Sequence, residues 1–169
     1  MSDQFYDVPA QGYIELYGEE QLRKYLAVFN NIDLQPSKIL DIGCGVGLLS
    51  RYLESIGFGG EFIGIDIDIE RVKFAKKTFG EFIVADAHHL PFRDKCFQTS
   101  TIFTVIHLLK VRDALREAER VSENMIIITI LKKRTDLRDL IIQELKNLGR
   151  LVEIDDSSIN DYIFILYLD

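Results

Sequence analysis

The sequence predicts an α/β fold, a doubly wound and mostly parallel sheet with helices on both faces. Three observations carry this. Short apolar runs of strand length alternate with segments whose apolar residues recur at helical spacing. One of them, KILDIGCGVGLL at 38–49, passes from an apolar strand through alternating glycines into a helical pattern. Strand, glycine turn and helix is how α/β proteins approach a nucleotide-like ligand. The last two apolar runs have only a polar turn between them, so at least one antiparallel strand must join the sheet.

The elements follow in order. Residues 19–32, EEQLRKYLAVFNNI, set Leu22, Tyr25, Leu26 and Phe29 on one helical stripe. Residues 37–42 read as a buried strand, and 48–56 as a helix stopped by Gly57, Gly59 and Gly60. EFIGID, 61–66, is the second strand, and 70–78 a helix closed by Gly80. EFIVA, 81–85, and residues 97–103 are the third and fourth strands. Residues 111–121 form an amphipathic helix with Val111, Leu115 and Ala118 on one face. Residues 124–131 are the fifth strand, and 137–148 a helix ending at Gly149. Residues 151–154 and 162–168 flank DDSSIND as a β-hairpin.

Composition narrows the function. The 169 residues are expected to form one domain, 1–169, and 47% hydrophobic with 28% charged residues is a globular balance. A net charge of -7 argues against this chain alone wrapping a nucleic acid backbone, which needs a basic face. Cys44 and Cys96 make neither a CxxC nor a Cys/His ligand spacing. Reduced thiols, a cytoplasmic location and no metal are therefore expected. The start, MSDQFYDVPAQGY, lacks a charged opening followed by an apolar core, so a signal peptide is not expected. No apolar run has membrane-spanning length, MIIITIL at 125–131 being the longest, and no membrane association is expected.

The glycine loop specifies a ligand. Gly43, Gly45 and Gly47 follow G-x-G-x-G, not the G-x-G-x-x-G of dinucleotide sites. Asp41, at the strand end, would repel a pyrophosphate and suits a cationic group. The helix N-terminus at 46–48 offers backbone N–H groups to an anion. Together they suit an amino acid zwitterion. Asp66 ends the second strand, where an acid accepts hydrogen bonds from ribose hydroxyls. Asp86 follows the third strand, where its carboxylate can accept from an exocyclic adenine amine, with the Ala87 backbone adding a contact. Zwitterion, ribose and adenine in a row describe S-adenosylmethionine.

At these residues the sequence resembles a known family. DIGCGVG, GIDID, VADAHHLPF and the FTVIHLL segment are similar to the successive motifs of class I S-adenosylmethionine-dependent methyltransferases, over roughly residues 35–130. The resemblance implies a Rossmann-like sheet of order 3-2-1-4-5-7-6 with strand 7 antiparallel. It implies cofactor binding by Tyr13, Asp41, Gly43, Cys44, Gly45, Gly47, Asp66, Ile67, Asp86 and Ala87. The leader YDVPAQGYIELYGEEQ is similar to that of small members, in which a tyrosine, here Tyr13, closes over the cofactor. The 1–34 segment would then be a cofactor cover. The chain departs from the family in places. It has no Asn-Pro-Pro-Tyr or Asp-Pro-Pro-Tyr after the fourth strand, which argues against the adenine, guanine and glutamine methylating subfamilies. Gln98 stands where an acid is usual, and there is no inserted substrate-recognition domain.

Other residues carry two readings each. His107, in the apolar TVIHLL, is a candidate general base or a structural histidine. His88 and His89 are cleft or surface residues. Lys132, Lys133 and Arg134 follow the fifth strand as a solvated turn or as an anion patch on the ligand side. Tyr6, Tyr13 and Tyr17 are alternatively a packing stripe. Methyl transfer from a sulfonium is an in-line displacement that needs no strong base, so the lack of a catalytic dyad is no objection.

The expected function is an active methyltransferase with an unidentified acceptor. The alternatives are a non-catalytic methyltransferase-like binding subunit and a small-molecule methyltransferase acting alone. A nucleotide-dependent dehydrogenase is disfavoured by Asp41 and by the glycine spacing. In the strand order implied, 81–85 lies at a sheet edge, apolar and without Pro or Lys. Several small family members acting on RNA or translation factors pair with a small zinc-binding activator protein. An apolar open edge invites strand addition by another chain, and the resemblance implies such a partner and an RNA or protein substrate here; the alternative is that a helix or loop of this chain covers the edge.

Overall fold

The structure is a computed structural model that describes residues 8–169. Its elements are α1 (Ala10–Phe29), β1 (Lys38–Ile42), α2 (Leu48–Ser55), β2 (Glu61–Asp66), α3 (Ile69–Ala75), β3 (Glu81–Val84), β4 (Phe97–Phe103), α4 (Val111–Val121), β5 (Ser122–Leu131), α5 (Thr135–Leu145), β6 (Gly149–Ile154) and β7 (Asp161–Leu168). The seven strands form one sheet in the order β3-β2-β1-β4-β5-β7-β6. Strands β1 to β5 pair in parallel, and β7 runs antiparallel to both β5 and β6. This is the sheet expected from the motifs.

The apolar run of β5 has a direct cause. Ile126, Ile128 and Ile130 enter the core on one face of the sheet, and Ile127 enters the core on the other. A strand covered on both faces reads as a continuous apolar run rather than an alternating one. Helix α4 supplies Ala114, Leu115 and Ala118 to the first core, and α5 supplies Ile141 and Leu145. Helices α1, α2 and α3 supply Val28, Leu53 and Val72 to the second. Fully burying a leucine such as Leu53 contributes about 1.5–3 kcal/mol.

One ionic cluster ties the β3–β4 connection to α4. Arg120 donates to the carbonyls of Leu90 and Phe92 and to the carboxylates of Asp94 and Glu117. Glu117 in turn accepts from the Leu90 N–H at 2.7 Å. The segment after Asp86 is thereby held against the body of the sheet.

Two expectations need correction. Helix α1 begins at Ala10, after Pro9, rather than at residue 19. Gly12 and Gly18 dilute the helical signal there, each costing about 1 kcal/mol against alanine. The buried stripe of α1 is also turned. Tyr25 and Phe29 are buried as expected, but Leu22 and Leu26 are 44% and 42% exposed, while Gln21 and Lys24 are buried. The face toward the sheet meets the buried acid Asp161, so a lysine rather than a leucine is needed there. A single 3-10 turn at Ile106–Leu108 was also not foreseen. Tyr6 lies outside the described residues.

Among the described residues no helix is long and apolar enough to cross a membrane. Among the same residues no group of His, Cys, Asp and Glu is arranged to hold a metal ion. Cys44 and Cys96 are both free thiols.

Candidate functional site

The loop after β1 is shaped by its glycines and anchored by its own amides. Gly43, Gly45 and Gly47 all have positive φ, at 77°, 53° and 81°. The N–H groups of Gly43 and Cys44 donate to the Ile65 carbonyl, each at 2.8 Å. The Gly45 N–H donates to Asp66 Oδ2 at 2.9 Å. A Cβ built on Gly43 would lie 2.6 Å from Val105 Cγ1, and one on Gly47 would lie 2.9 Å from Thr78 Oγ1. At Gly45 the nearest atom is Arg71 Nη1, at 3.8 Å. Gly43 and Gly47 are therefore packing glycines, and Gly45 faces open space in the cleft.

That cleft is lined by Tyr13, Gln21, Asp41, Gly45, Asp66 and Arg71, and its cavity volume is about 60 Å³. Asp41 sits at its base, 3% exposed, with its carboxylate accepting from Thr101 Oγ1 at 2.7 Å. Burial pushes the Asp41 carboxyl up to about 7; the Thr101 hydrogen bond opposes the rise, and the Asp66 charge adds to it. A carboxyl poised there takes its charged form readily when a cation arrives. Arg71 stands opposite, its guanidinium 5.1 Å from the centre of the Tyr13 ring. Burial raises the pKa of Tyr13, and the Arg71 charge opposes that rise. Cys44 is buried beside these acids, and burial pushes its thiol up, away from reactive thiolate character.

Asp66 marks the middle of the site. Its two oxygens accept from the N–H groups of Gly45 and Asp68, both at 2.9 Å. Asp68 then caps α3 by accepting from the Glu70 and Arg71 N–H groups. On the far side of Asp66 lies a second cavity of about 290 Å³, walled by Ile67, Ala85, Asp86, Ala87, Leu108 and Leu109. Gly43, Asp66, Val105 and Leu108 line both cavities, so the two form one trough along the carboxyl ends of β1, β2 and β3.

Asp86 is held in place by His88. The His88 N–H donates to Asp86 Oδ1, and the His88 ring Nδ1 lies 2.6 Å from the same oxygen. The ring Nε2 accepts from the Lys110 N–H at 2.9 Å, which puts the proton on Nδ1. The hydrogen bond from the His88 backbone is the first cause holding the Asp86 carboxyl below its usual range. His88 is thus a structural tie between the Asp86 loop and the start of α4.

A third cavity, about 360 Å³, adjoins the first at Gln21 and Thr104 and extends to Tyr17, Lys132, Lys133 and Asn160. Its inner wall is a buried polar network. Lys24 Nζ donates to Thr104 Oγ1 at 2.9 Å and lies 3.0 Å from Asp161 and 3.4 Å from Glu20. Thr104 Oγ1 also meets Asp161 at 2.8 Å and Thr129 at 3.0 Å. Thr104 holds a φ of 53°, an uncommon conformation for a β-branched residue.

Of the residues singled out in the sequence, Tyr13, Asp41, Gly43, Cys44, Gly45, Asp66, Ile67, Asp86 and Ala87 line this trough. Gly47 lies beneath it, packed on Ala75 and Thr78. His107, on the 3-10 turn, lines none of the three cavities, whereas its neighbours Val105 and Leu108 line two. Lys132 pairs with Asp155 at 2.6 Å, and Arg134 with Asp136 at 3.0 Å. Both Lys132 and Lys133 line the third cavity. Arg71, Gln21 and Thr104 were not anticipated. The only signal for Arg71 was its place three residues beyond the capping Asp68.

Residues 40–125, just over half of the chain, match the methyltransferase domain family. Demethylmenaquinone methyltransferase of Thermotoga maritima is 34% identical over 110 residues, covering 62% of this chain and 48% of that protein. The chain thus spans about half the length of this relative. The protein solved in complex with the Trm112 methyltransferase activator of Haloferax volcanii has a TM-score of 0.79 at 13% identity, covering 98% of this chain and 96% of that one. Magnesium protoporphyrin IX methyltransferase of Synechocystis, crystallised with bound SAM, has a TM-score of 0.65 at 19% identity, covering 95% and 84%. At these identities the structural likeness shows the fold, and the family match goes further: the chain belongs to the methyltransferase domain family.

Proposed function

We propose that the chain is an S-adenosylmethionine-dependent methyltransferase. The observation that carries this reading is one continuous trough in which Asp41, the Gly45 turn, Asp66 and Asp86 follow one another. The donor set fits the cofactor. An ammonium group finds Asp41, and a carboxylate finds Arg71 with the amides of Val46 and Leu48, which have no backbone partner among the described residues. Asp66 retains lone pairs for ribose hydroxyls beyond the two amides it already accepts. The apolar walls Ile67, Leu108 and Leu109 suit a flat base, with Asp86 at its amine edge. The narrow methionine end requires Tyr13 to swing away from Arg71, consistent with a cover formed by the first turns of α1. S-adenosylmethionine supplies a methyl group already activated on sulfur, so the chain contributes orientation and exclusion of water.

Asp66→Ala tests the reading. The change removes the ribose acceptor and also frees two amides, so it is expected to weaken cofactor binding by about 1.5–3 kcal/mol and to lower thermal stability. Unchanged affinity in a folded Asp66→Ala protein, measured by titration calorimetry, would remove the assignment. Transfer of a labelled methyl group into an extract would separate an active enzyme from a binding subunit.

A second reading, that a partner chain adds a strand to β3, is favoured by the sheet edge. Strand β3 pairs with β2 alone among the described residues, and Ile83 and Val84 are 36% and 45% exposed. Unprotected apolar edges favour strand addition. The Haloferax neighbour was solved with the Trm112 activator, so an activator protein, of the small zinc-binding kind the sequence resemblance implies, is the partner to try first. Ile83→Lys is expected to abolish co-purification of such a partner while cofactor affinity stays at the wild-type value. Retention of the partner by the variant would sink this reading.

A further inference from the structure

The third cavity is separate from the cofactor trough except at Gln21 and Thr104, and its chemistry is different. Gln21 is 6% exposed, and its Oε1 has no hydrogen-bond partner. An unpartnered buried carbonyl costs about 1–3 kcal/mol, so a donor is wanted at the junction of the two cavities. At the outer end the cations differ in state. Lys24 is committed to Asp161, Thr104 and Glu20, and Lys132 to Asp155 and the Asp156 carbonyl. Lys133 is exposed and has no acidic partner among the described residues. Between these ends lie the Leu131 side chain and the Tyr17 ring.

We propose that this cavity binds the methyl acceptor, and that the acceptor is a small molecule with an anionic group at one end and an O–H or N–H nucleophile at the other. Lys133 holds the anion, a carboxylate or a phosphate monoester. Gln21 Oε1 accepts from the nucleophile and points its lone pair into the cofactor trough. A volume of about 360 Å³ suits a compact organic acid, at the lower end of ordinary ligand sites. The acceptor's lone pair forms the new bond to the methyl carbon, the electron pair of the broken carbon–sulfur bond stays on sulfur, and the nucleophile's proton leaves to water at the cavity mouth.

The methylation of the bound acid rests on the methyltransferase reading, its binding does not, and the test keeps the two apart. 4-Hydroxyphenylacetate, phenylacetate, 4-hydroxyphenyl phosphate and neutral 4-hydroxyphenylacetamide are titrated into isotope-labelled protein, with and without S-adenosylhomocysteine, and amide resonances are followed. 4-Hydroxyphenylacetate or 4-hydroxyphenyl phosphate, each with its hydroxyl at the end opposite the anion, is expected to shift Leu131, Lys133 and Asn160, and to bind about ten-fold more tightly than 4-hydroxyphenylacetamide. Whichever of the two binds better identifies the anion as carboxylate or phosphate. Lys133→Glu should remove that preference, and Gln21→Leu should weaken 4-hydroxyphenylacetate while sparing phenylacetate, which lacks the hydroxyl. Equal binding of 4-hydroxyphenylacetamide, shifts confined to other surfaces, or no effect of Lys133→Glu would overturn the proposal. Failure of S-adenosylhomocysteine to bind the wild-type protein would instead overturn the cofactor reading, while the acid-binding result stands or falls by its own resonances.

Discussion

Gly45→Val is expected to abolish S-adenosylmethionine binding in a protein that still folds. Gly45 has room for a side chain, since the nearest atom to a built Cβ is Arg71 Nη1 at 3.8 Å. That room is the methionine end of the proposed trough, so an isopropyl group would occupy the ligand's place. The positive φ of 53° adds backbone strain, of order 1–3 kcal/mol for a β-branched residue. The neighbouring glycines make a control. Gly43→Ala drives a methyl group to 2.6 Å from Val105, so its effect should appear first as lost stability. Calorimetric titration and thermal melting distinguish the two. Gly45→Val binding the cofactor at wild-type affinity would mean that the ligand does not lie against this turn.

Lys24→Met is expected to be the most destabilising single change. It leaves Asp161, fully buried, without its cation, and breaking a buried pair in this way costs about 3–5 kcal/mol. Thr104 also loses a donor, and its hydroxyl joins β4, β5 and β7 through Thr129 and Asp161. The double change Lys24→Met with Asp161→Leu removes both charges and should recover much of the loss. Denaturant unfolding reads both. A cost below about 1 kcal/mol for Lys24→Met would show that the pair behaves as an exposed one.

The sequence was most legible where backbone geometry and chemistry coincide. Glycines at a strand end, followed by acids at the ends of the next two strands, can converge only if those strands lie side by side and parallel. That constraint made Asp41, Asp66 and Asp86 readable together, and they line one trough. Helix α1 was less legible because periodicity counts apolar residues and cannot see a buried ion pair. Lys24 is 1% exposed because Asp161, far along the chain, needs it. With Lys24 turned inward, Leu22 and Leu26 fall on the open side. Gln21 and Thr104 were hidden for the same reason. Their importance comes from the wall they share between two cavities, and no local pattern marks it. The His88 tie was equally invisible, since its second partner is the Lys110 backbone, 22 residues away.

The central claim is that the trough along β1, β2 and β3 holds S-adenosylmethionine, and calorimetric titration of the wild-type chain against that cofactor and against NAD tests it most directly. At pH 8, above the raised Asp41 pKa, the donor set predicts saturable binding of one S-adenosylmethionine per chain and none of NAD, because charged Asp41 beside Asp66 repels a pyrophosphate. Binding of NAD with no response to S-adenosylmethionine would contradict it.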